Sequence, residues 1–276
     1  MSNKQLDKAK SGDINAFFQL YSEFQSQLKS YLYRLLVDRN DVEDIAQDTF
    51  MRAFDKIATF DEKSSLKSWT FRIATNLAYD RLRSNGRWSP KVLDKAKKYA
   101  HSHEYVLLQM KEVSQYSKFD ILEHIDFCFT CIAKVLPLEQ QIAVILKELY
   151  EFKVKEIAII LEKTVPATKH ILRFGRQTMI NIFDNRCSFV NKKGMCHQCS
   201  ELNTYLNPKQ KQQEIFIRQQ LLSKDHDRQK LFKMRKALIR SINPLTIRGA
   251  KIHDVLMQIN RKVEGEIDEI NFNNDN

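Results

Sequence analysis

The sequence predicts an all-α fold with two helical domains, a linker between them and a helical C-terminal extension. Apolar residues recur three and four positions apart along most of the chain, which is the period of an amphipathic helix. The 276 residues include only six glycines and five prolines, which argues against a sheet-rich fold. With 43% apolar residues, a chain of this length is expected to form two or three compact helical units.

Charge and composition limit the function. Lys and Arg exceed Asp and Glu by 11, and the pI is near 9.3, so a polyanionic partner is favoured. Nucleic acid is the first candidate and an anionic membrane surface the second. No apolar run approaches the roughly 20 residues of a membrane span, and the first residues lack the apolar core of a signal peptide. We therefore expect a soluble, cytoplasmic protein with no membrane span.

The first predicted helices form a scaffold. Residues 6–37 are expected to form a helix, a break at Ser11-Gly12-Asp13 and a second, longer helix. A wide apolar stripe on the longer helix indicates that it packs behind the helix that follows it in the chain. The stripe consists of Ala16, Phe17, Leu20, Phe24, Leu28, Tyr31, Leu32 and Leu35.

A helix with an acidic outer face is predicted from Asp41 onward. Asn40 precedes its apolar stripe and Glu43 follows three residues later, which is typical of a capped start. The outer face carries Asp41, Asp44, Gln47, Asp48 and Asp55. Such a face is often only solvated surface, but in a strongly basic chain it also suits docking onto a positively charged partner.

The next predicted helix has a face suited to single-stranded nucleic acid. Residues at offsets of four, seven and eleven share that face: Arg72, Asn76, Tyr79 and Arg83. Rings and guanidinium planes stack on unpaired bases, an amide reads a base edge, and cations meet phosphate. The opposite stripe is apolar and is expected to be buried; it contains Leu66, Trp69, Ile73, Ala74, Leu77, Ala78 and Leu82.

These two helices carry a family resemblance. The motifs Asp41-x-x-Asp44-Ile-Ala-Gln47-Asp-Thr-Phe50 and Ser64-Ser-Leu66-x-x-Trp69-x-x-Arg72-Ile-Ala-x-Asn76-x-Ala-x-Asp80-x-Leu-Arg83 resemble the second conserved domain of bacterial RNA polymerase sigma factors. Within that family the similarity is greatest to the extracytoplasmic-function (ECF) group. The resemblance implies a sigma region 2 bundle over residues 10–88.

The resemblance also implies roles for individual residues of this domain. The first helix would bind the polymerase core through Asp41, Asp44, Gln47, Asp48 and Met51. The second segment would melt and read the minus-ten promoter element through Ser64, Ser65, Lys67, Trp69, Arg72, Asn76, Tyr79 and Arg83.

A linker is predicted over residues 89–118. The breaker cluster Ser84-Asn-Gly-Arg-Trp-Ser-Pro90 precedes it, and the residues that follow mix charges with weak periodicity. In related sigma factors the equivalent linker enters the polymerase near the active site. Nothing in the linker sequence here assigns that role to particular residues.

A second domain with a helix-turn-helix is predicted over residues 119–184. Two short helices flank a tight turn at Glu162-Lys-Thr164, and Pro166 lies just inside the start of the second helix. A basic face on that helix suits the major groove and its flanking phosphates. The residues on this face are Lys169, His170, Arg173 and Arg176.

This second domain resembles the fourth sigma domain. The residues that carry the similarity are Leu136-Pro-Leu-Glu-Gln-Gln, Glu156-Ile-Ala-x-Ile-Leu and Thr168-Lys169. The resemblance implies that Thr168 and the basic face read the minus-thirty-five element. The sequence departs from the family pattern at Glu162, where Gly is common, and at Ile171 and Phe174, which are often basic.

The five cysteines allow several interpretations, because an odd number in a reducing compartment favours thiols or metal ligands over a disulfide framework. Cys128 and Cys131 fit core packing better than a redox or metal pair. Cys187, Cys196 and Cys199 could supply three ligands of a structural zinc site, form a redox-responsive cluster or be inert. No fourth zinc ligand is evident.

These three cysteines lie near the start of a C-terminal extension, residues 185–276. The extension is basic as far as Lys262 and acidic after it.

The sequence therefore indicates an ECF-type RNA polymerase sigma factor that binds core polymerase and directs promoter-specific initiation. The resemblance implies RNA polymerase core, promoter DNA and an anti-sigma factor as partners, with no catalytic residues and no required cofactor. One alternative is a polymerase-independent helix-turn-helix transcriptional regulator. A second is a thiol redox protein that uses Cys128 and Cys131, although no orienting base or βαβ pattern accompanies these thiols.

Overall fold

A computed structural model describes residues 3–116, 121–186, 228–240, 242–245 and 251–271. All regular secondary structure in these ranges is helical, as predicted. The helices are α1 (Asn3–Lys10), α2 (Ile14–Leu36), α3 (Arg39–Lys56), α4 (Leu66–Asn85), α5 (Val92–Ser102), α6 (Glu104–Tyr116), α7 (Ile121–Ala133), α8 (Leu138–Glu148), α9 (Val154–Ile160), α10 (Val165–Arg186), α11 (Arg228–Ile239) and α12 (Lys251–Val263). A short 3-10 helix, Ile57–Thr59, follows α3.

The chain divides into two compact units. The first unit combines residues 1–86 with residues 138–175, and the second combines residues 87–137 with residues 176–276. The predicted domains follow one another along the chain, whereas these units interleave its segments. The helix-turn-helix region therefore belongs to the same compact unit as α1 to α4.

Side-chain caps begin α2 and α3 in the first unit. Asp13 accepts hydrogen bonds from the backbone N–H groups of Asn15 and Ala16 at the start of α2. At the start of α3 the cap is Asp38, which accepts from the N–H of Asp41 at 3.0 Å. The predicted cap at Asn40 is therefore wrong by two residues. Asp and Asn are about equally good caps, so sequence preference could not decide between them.

Aromatic side chains fill the space between α2, α3 and α4. Phe17 packs against Phe50 and Phe54, with ring centroids 5.2 and 5.6 Å apart. Farther along α2, Tyr31 packs on Phe71 at 5.3 Å and shares a 2.8 Å hydrogen bond with Thr75. The predicted apolar stripe of α2 is buried, as expected.

The segment after α8 packs on α2 and α4. The hydroxyl of Tyr150 lies 2.8 Å from the hydroxyl of Ser30 and accepts a 2.5 Å hydrogen bond from Arg34, which is buried. The ring of Phe152 lies 4.9 Å from that of Phe71. These contacts seat the helix-turn-helix region on the α2 and α4 scaffold.

In the second unit α12 packs against both linker helices. Their shared core contains Ala96, Ala100, Val106, Val255 and Ile259. Helix α7 lies against α11, where the rings of Phe129 and Phe232 are 6.3 Å apart. The linker is therefore built as ordered helices in contact with the C-terminal extension.

Candidate functional site

Helix α3 presents an exposed face that is both acidic and apolar. Asp44, Gln47, Asp48 and Met51 are exposed and lie within two turns on one side of the helix. Met51, at the C-terminal end of this set, leaves 47% of its surface in contact with solvent. This face therefore combines negative charge with an exposed apolar side chain.

Asp41, which sequence analysis grouped with this face, has a structural partner. Its carboxylate accepts two hydrogen bonds from Arg81 of α4, one from Nη2 at 2.6 Å and one from Nε at 3.0 Å. Only 13% of the Asp41 side chain is exposed. A bidentate pair of this kind orients two planar groups, so Asp41 ties α3 to α4.

Sequence analysis missed an exposed aromatic side chain on α2 that packs against α3. Phe18 is 51% exposed, and its ring lies 6.3 Å from that of Phe50 in an edge-to-face arrangement. Ile14, one turn earlier, is 45% exposed. The helical period alone could have placed Ile14 and Phe18 beside the buried stripe, because they lie four residues apart. Their exposure depends on how α2 meets α3.

The C-terminal half of α4 exposes the residues expected to contact bases. Asn76 and Arg83 are exposed, and the guanidinium of Arg83 lies over the ring of Tyr79, 5.4 Å from its centroid. Burial, and then the nearby carboxylate of Glu139, raise the pKa of Tyr79 to about 12. The phenol is therefore neutral at ordinary pH and can donate a hydrogen bond. The amide, the guanidinium and the phenol together offer hydrogen-bond donors and a stacking surface.

The N-terminal half of α4 is less accessible. Ser65 caps the helix by accepting from the N–H of Ser68 at 3.1 Å. The Lys67 ammonium lies 4.8 Å from the centroid of Phe152, and burial lowers the pKa of this lysine. Trp69, expected from the resemblance to contact DNA, is only 8% exposed and packs against Phe60. Trp69 therefore supports the helix from the core side, in agreement with its place on the apolar stripe.

Helix α9 and the turn after it lie beside α4. The Ser68 hydroxyl donates to Glu156 at 3.3 Å, and Arg72 Nε lies 3.9 Å from Glu162. Arg72 and Ser64 are half-buried in this arrangement. Of the predicted minus-ten residues, the exposed ones are Ser65, Asn76 and Arg83.

The helix-turn-helix forms as predicted between α9 and α10. Glu162 in the turn has a φ of 53°, the left-handed conformation that glycine adopts most readily. The Thr164 side chain accepts from the N–H of Ala167 at 3.3 Å and so caps α10. The turn therefore forms with Glu162 in a strained backbone conformation that glycine would adopt more easily.

The exposed face of α10 is basic and contains an aromatic ring. Lys169, His170 and Arg173 are exposed, and Arg176 is half-buried. Phe174 is 41% exposed; its ring lies 4.4 Å from His170, and the Arg173 guanidinium lies 5.1 Å from its centroid.

Thr168, expected from the resemblance to contact DNA, is buried and donates its hydroxyl hydrogen bond to the carbonyl of Thr164 at 2.9 Å. Its hydroxyl therefore serves the first turn of α10.

Gly175 is a further residue that the sequence did not single out. A Cβ at this position would lie 2.7 Å from Val144 Cγ2 and 3.3 Å from Gln140 Cβ. The missing side chain therefore lets α10 approach α8 closely. This contact sets the position of the helix that carries the basic face.

The cysteines that the structure describes are part of the packing in the second unit. Cys131 is buried, and its sulfur accepts a hydrogen bond from Asn260 at 3.6 Å. Cys128 is half-buried. Within the described ranges no cluster of three or more His, Cys, Asp or Glu side chains could hold a metal. Cys187, Cys196 and Cys199 lie outside the described residues.

None of the helices in the described part of the chain is long and apolar enough to cross a membrane.

Comparisons with known proteins match the part of the chain that forms most of α2, all of α3 and all of α4. Residues 20–88 match the family model described as Sigma-70 region 2. The ECF RNA polymerase sigma factor SigW of Bacillus subtilis (strain 168) is 27% identical over 189 residues, which cover 65% of this chain and 95% of the relative. The ECF RNA polymerase sigma-E factor of Haemophilus influenzae is 35% identical over 85 residues, covering 31% of this chain and 44% of that relative.

One solved structure has a lower similarity. The co-crystal structure of the sigma factor RpoE with the anti-sigma factor NepR from Bartonella quintana has a TM-score of 0.43 at 20% identity, covering 61% of this chain and 96% of that one. The family model and the curated relatives agree with the motifs in α3 and α4. Residues 20–88 are therefore similar to sigma-70 region 2, and the chain resembles an ECF RNA polymerase sigma factor over 95% of that relative's length.

Proposed function

We propose that this chain is a promoter-specificity subunit of bacterial RNA polymerase. One observation carries the proposal: within the residues that match sigma-70 region 2, α3 exposes an acidic and apolar face, and α4 exposes an amide and a guanidinium beside the half-buried phenol of Tyr79. The proposed partners are the polymerase core, promoter DNA and an anti-sigma factor. The proposed site of action is the cytoplasm, and the proposal assigns no catalytic residue.

The exposed face of α3 is the proposed core-binding surface. Asp44 and Asp48 would steer the chain toward a basic surface, and Met51 would supply the hydrophobic centre of the contact. Phe18 extends that centre onto α2. Asp41 has a supporting role in this scheme, because its pair with Arg81 fixes the angle at which α3 is presented.

Charge reversal on α3 tests the docking role. We expect Asp48→Lys to weaken binding to purified core at least tenfold, which corresponds to about 1.4 kcal/mol. Glu23→Lys makes the same charge change on an exposed part of α2 away from Phe18, and it should change the affinity less than twofold. Equal effects of the two substitutions would indicate a non-specific dependence on net charge.

The C-terminal half of α4 is the proposed minus-ten reader. Asn76 would hydrogen-bond an unpaired base, and the Tyr79 ring with the Arg83 guanidinium would provide a stacking surface beside it. We expect Asn76→Ala to reduce opening of a cognate promoter more than it reduces core binding. Asn15→Ala removes an exposed amide from α2 and serves as the control. An equal loss of promoter opening and core binding in Asn76→Ala would contradict this role.

The basic face of α10 is the proposed minus-thirty-five reader. Lys169, His170 and Arg173 would contact phosphates and base edges of duplex DNA, which makes the affinity dependent on salt. Phe174 would add an apolar contact of the kind that recognises a thymine methyl group. Arg176 is half-buried and would contact the flanking backbone.

Zinc binding by Cys187, Cys196 and Cys199 stays a hypothesis for the extension. Metal analysis of the purified full-length chain tests it. One equivalent of zinc that is lost in a Cys196→Ser variant would support the site. Metal-free protein purified with its thiols reduced would contradict it.

The decisive experiment for the whole proposal is transcription with purified bacterial core polymerase on a library of promoter-length fragments. The transcripts are sequenced with and without this chain. Specific initiation that appears only when the chain is added would support the sigma role and would identify both promoter elements. Binding to duplex DNA without any initiation would instead favour the polymerase-independent regulator.

A further inference from the structure

The end of the C-terminal extension is built into the linker of the second unit. Helix α12 places Val255 and Ile259 against Ala96 and Ala100 of α5 and Val106 of α6. All five side chains are buried. The apolar surface of the linker helices is thus covered by a segment that lies about 150 residues later in the sequence.

At the turn after α12, the carboxylate of Glu264 binds residues at the start of the linker. Gly265 has a φ of 76°, a conformation that glycine adopts without strain. Just before it, Glu264 accepts from the backbone N–H of Ser89 at 2.6 Å and from the Lys95 ammonium at 2.8 Å. Only 7% of the Glu264 side chain is exposed, whereas the Lys95 side chain is 48% exposed, so the pair is partly shielded from water on the side of the carboxylate.

The next carboxylate joins the two ends of residues 87–137, the segment that includes the linker and connects the two parts of the first unit. Glu266 Oε1 accepts from the Trp88 indole at 2.7 Å and lies 2.9 Å from the Lys134 ammonium. The side chains of Glu266 and Lys134 are 0% and 1% exposed, and Trp88 is fully buried. Trp88 also donates its backbone N–H to the carbonyl of Lys134 at 3.0 Å.

These contacts hold the two ends of residues 87–137 together. Trp88 lies two residues after Gly86, the last residue of the first unit's N-terminal segment, and Lys134 lies four residues before Leu138, where the chain returns to that unit. Glu266 touches both ends of the intervening segment. Separating the ends would break the buried pair between Glu266 and Lys134, which is unfavourable because both charges lie away from water. Arg261 Nε, 3.3 Å from Glu266 Oε2, would remain beside the carboxylate.

The first unit is also closed, by contacts of its own. The proposed minus-ten helix α4 lies against α9, with Phe71 and Phe152 in ring contact and Ser68 bonded to Glu156. By their names the two promoter elements lie about 25 base pairs apart, or about 85 Å at 3.4 Å per base pair. A chain that reads both elements at once must therefore release α9 from α4. It must also let Trp88 and Lys134, near the two ends of residues 87–137, move apart.

We propose that residues 251–271 act as a clasp that docks on the linker in cis and holds the chain in a form unable to engage both promoter elements. The proposal rests on the sigma function proposed above. The linker surface is a docking site for an acidic amphipathic segment, and its occupant is the end of this same chain. Opening of the clasp is then the step that permits binding of both elements.

The test uses the full-length chain with one double variant and a matched control. Glu264→Gln with Glu266→Gln removes both buried carboxylate charges, whereas Glu269→Gln removes an exposed one from the same segment. The first readout is the rate of chymotryptic cleavage within residues 89–133, since chymotrypsin cuts after aromatic and large apolar residues, which none of the variants changes. We expect the double variant to be cut at least tenfold faster than wild type, and Glu269→Gln to behave as wild type.

The second readout is initiation from a cognate promoter with purified core polymerase. We expect a severalfold increase for the double variant and none for Glu269→Gln. Because the double variant could unfold the second unit, Lys95→Gln provides a milder test. It weakens only the partly exposed pair with Glu264, and it should shift both readouts in the same direction with unchanged helical circular dichroism.

The outcomes separate the clasp from the sigma function. Faster cleavage of the linker with unchanged initiation would overturn the clasp as a regulator while leaving the sigma function standing. Unchanged cleavage in both the double variant and Lys95→Gln would overturn the clasp itself. Absence of initiation in wild type and all variants would overturn the sigma function, and the regulatory proposal would fall with it.

Discussion

Replacing Gly175 by alanine should destabilise the first unit, although alanine is the better helix former. The added Cβ would lie 2.7 Å from Val144 Cγ2, whereas carbon atoms in contact prefer about 3.5 to 4.0 Å. Val144 is fully buried and β-branched, and the Gln140 carbonyl oxygen, 3.4 Å away, limits movement on the other side. The helices α8 and α10 must therefore separate by a fraction of an ångström or more.

The expected magnitude follows from two opposing effects. Overpacking of a filled core costs about 1–3 kcal/mol, and a contact this short belongs in the upper part of that range. Alanine in place of glycine inside a helix gains about 1 kcal/mol. The net loss in the free energy of unfolding is therefore about 1–2 kcal/mol.

A double-mutant cycle with Val144→Ala isolates the contact. Val144→Ala alone leaves a cavity and is destabilising, but it removes the atom that meets the new Cβ. In that background Gly175→Ala should be neutral or stabilising, which gives a coupling free energy of about 1–3 kcal/mol. The measurement is urea unfolding of the four proteins, followed by tryptophan fluorescence and circular dichroism. A Gly175→Ala effect below about 0.3 kcal/mol, or the same loss in both backgrounds, would refute the close-approach argument.

Three further substitutions test other parts of the structure. Glu162→Gly should raise the free energy of unfolding by about 0.5–1 kcal/mol, because glycine adopts the left-handed conformation without strain and the lost 3.9 Å contact with Arg72 is weak. A lower free energy of unfolding in urea would show that the contact with Arg72 contributes more than the strain costs. Phe174→Ala should leave stability unchanged and weaken binding to promoter duplex severalfold in a titration, and unchanged affinity would remove Phe174 from the reader. Burial lowers the pKa of Lys134 below its ordinary value of 10.5. At pH values between the two, the unfolded chain binds a proton at Lys134 that the folded chain has released. The contribution of Lys134 to the free energy of unfolding therefore rises with pH in this range. Lys134→Met should remove that rise from a series of unfolding curves, and an identical slope in the variant would contradict the assignment.

Much of the first unit could be predicted because its determinants are local. The apolar stripe of α2 and the turn before α10 follow from residue spacing and from breakers, and both are present. The side of α3 that carries Asp44, Asp48 and Met51 also follows from its helical period. Position along a helix is thus enough to divide core from surface.

Individual site residues were less predictable, because a shared face does not settle what each side chain contacts. Asp41 lies on the acidic face, but Arg81, 40 residues later, binds it. Trp69 and Thr168 carry family motifs, yet both are buried and support the helices that present the exposed residues. The exposure of Phe18 could not be known before the packing of α2 on α3 was known.

By itself, the sequence determined the helices, the two faces of α3 and α4, the helix-turn-helix and the resemblance to sigma factors. Each of these depends on residues within a few turns of one another. Only the tertiary structure decided that the helix-turn-helix region packs with α4 and that Glu266 joins Trp88 to Lys134. Trp88 and Glu266 are 178 residues apart, and no local period links them. Their contact depends on the burial of complementary groups in the folded chain. Folding brings Glu266, which lies late in the sequence, into contact with both Trp88 and Lys134.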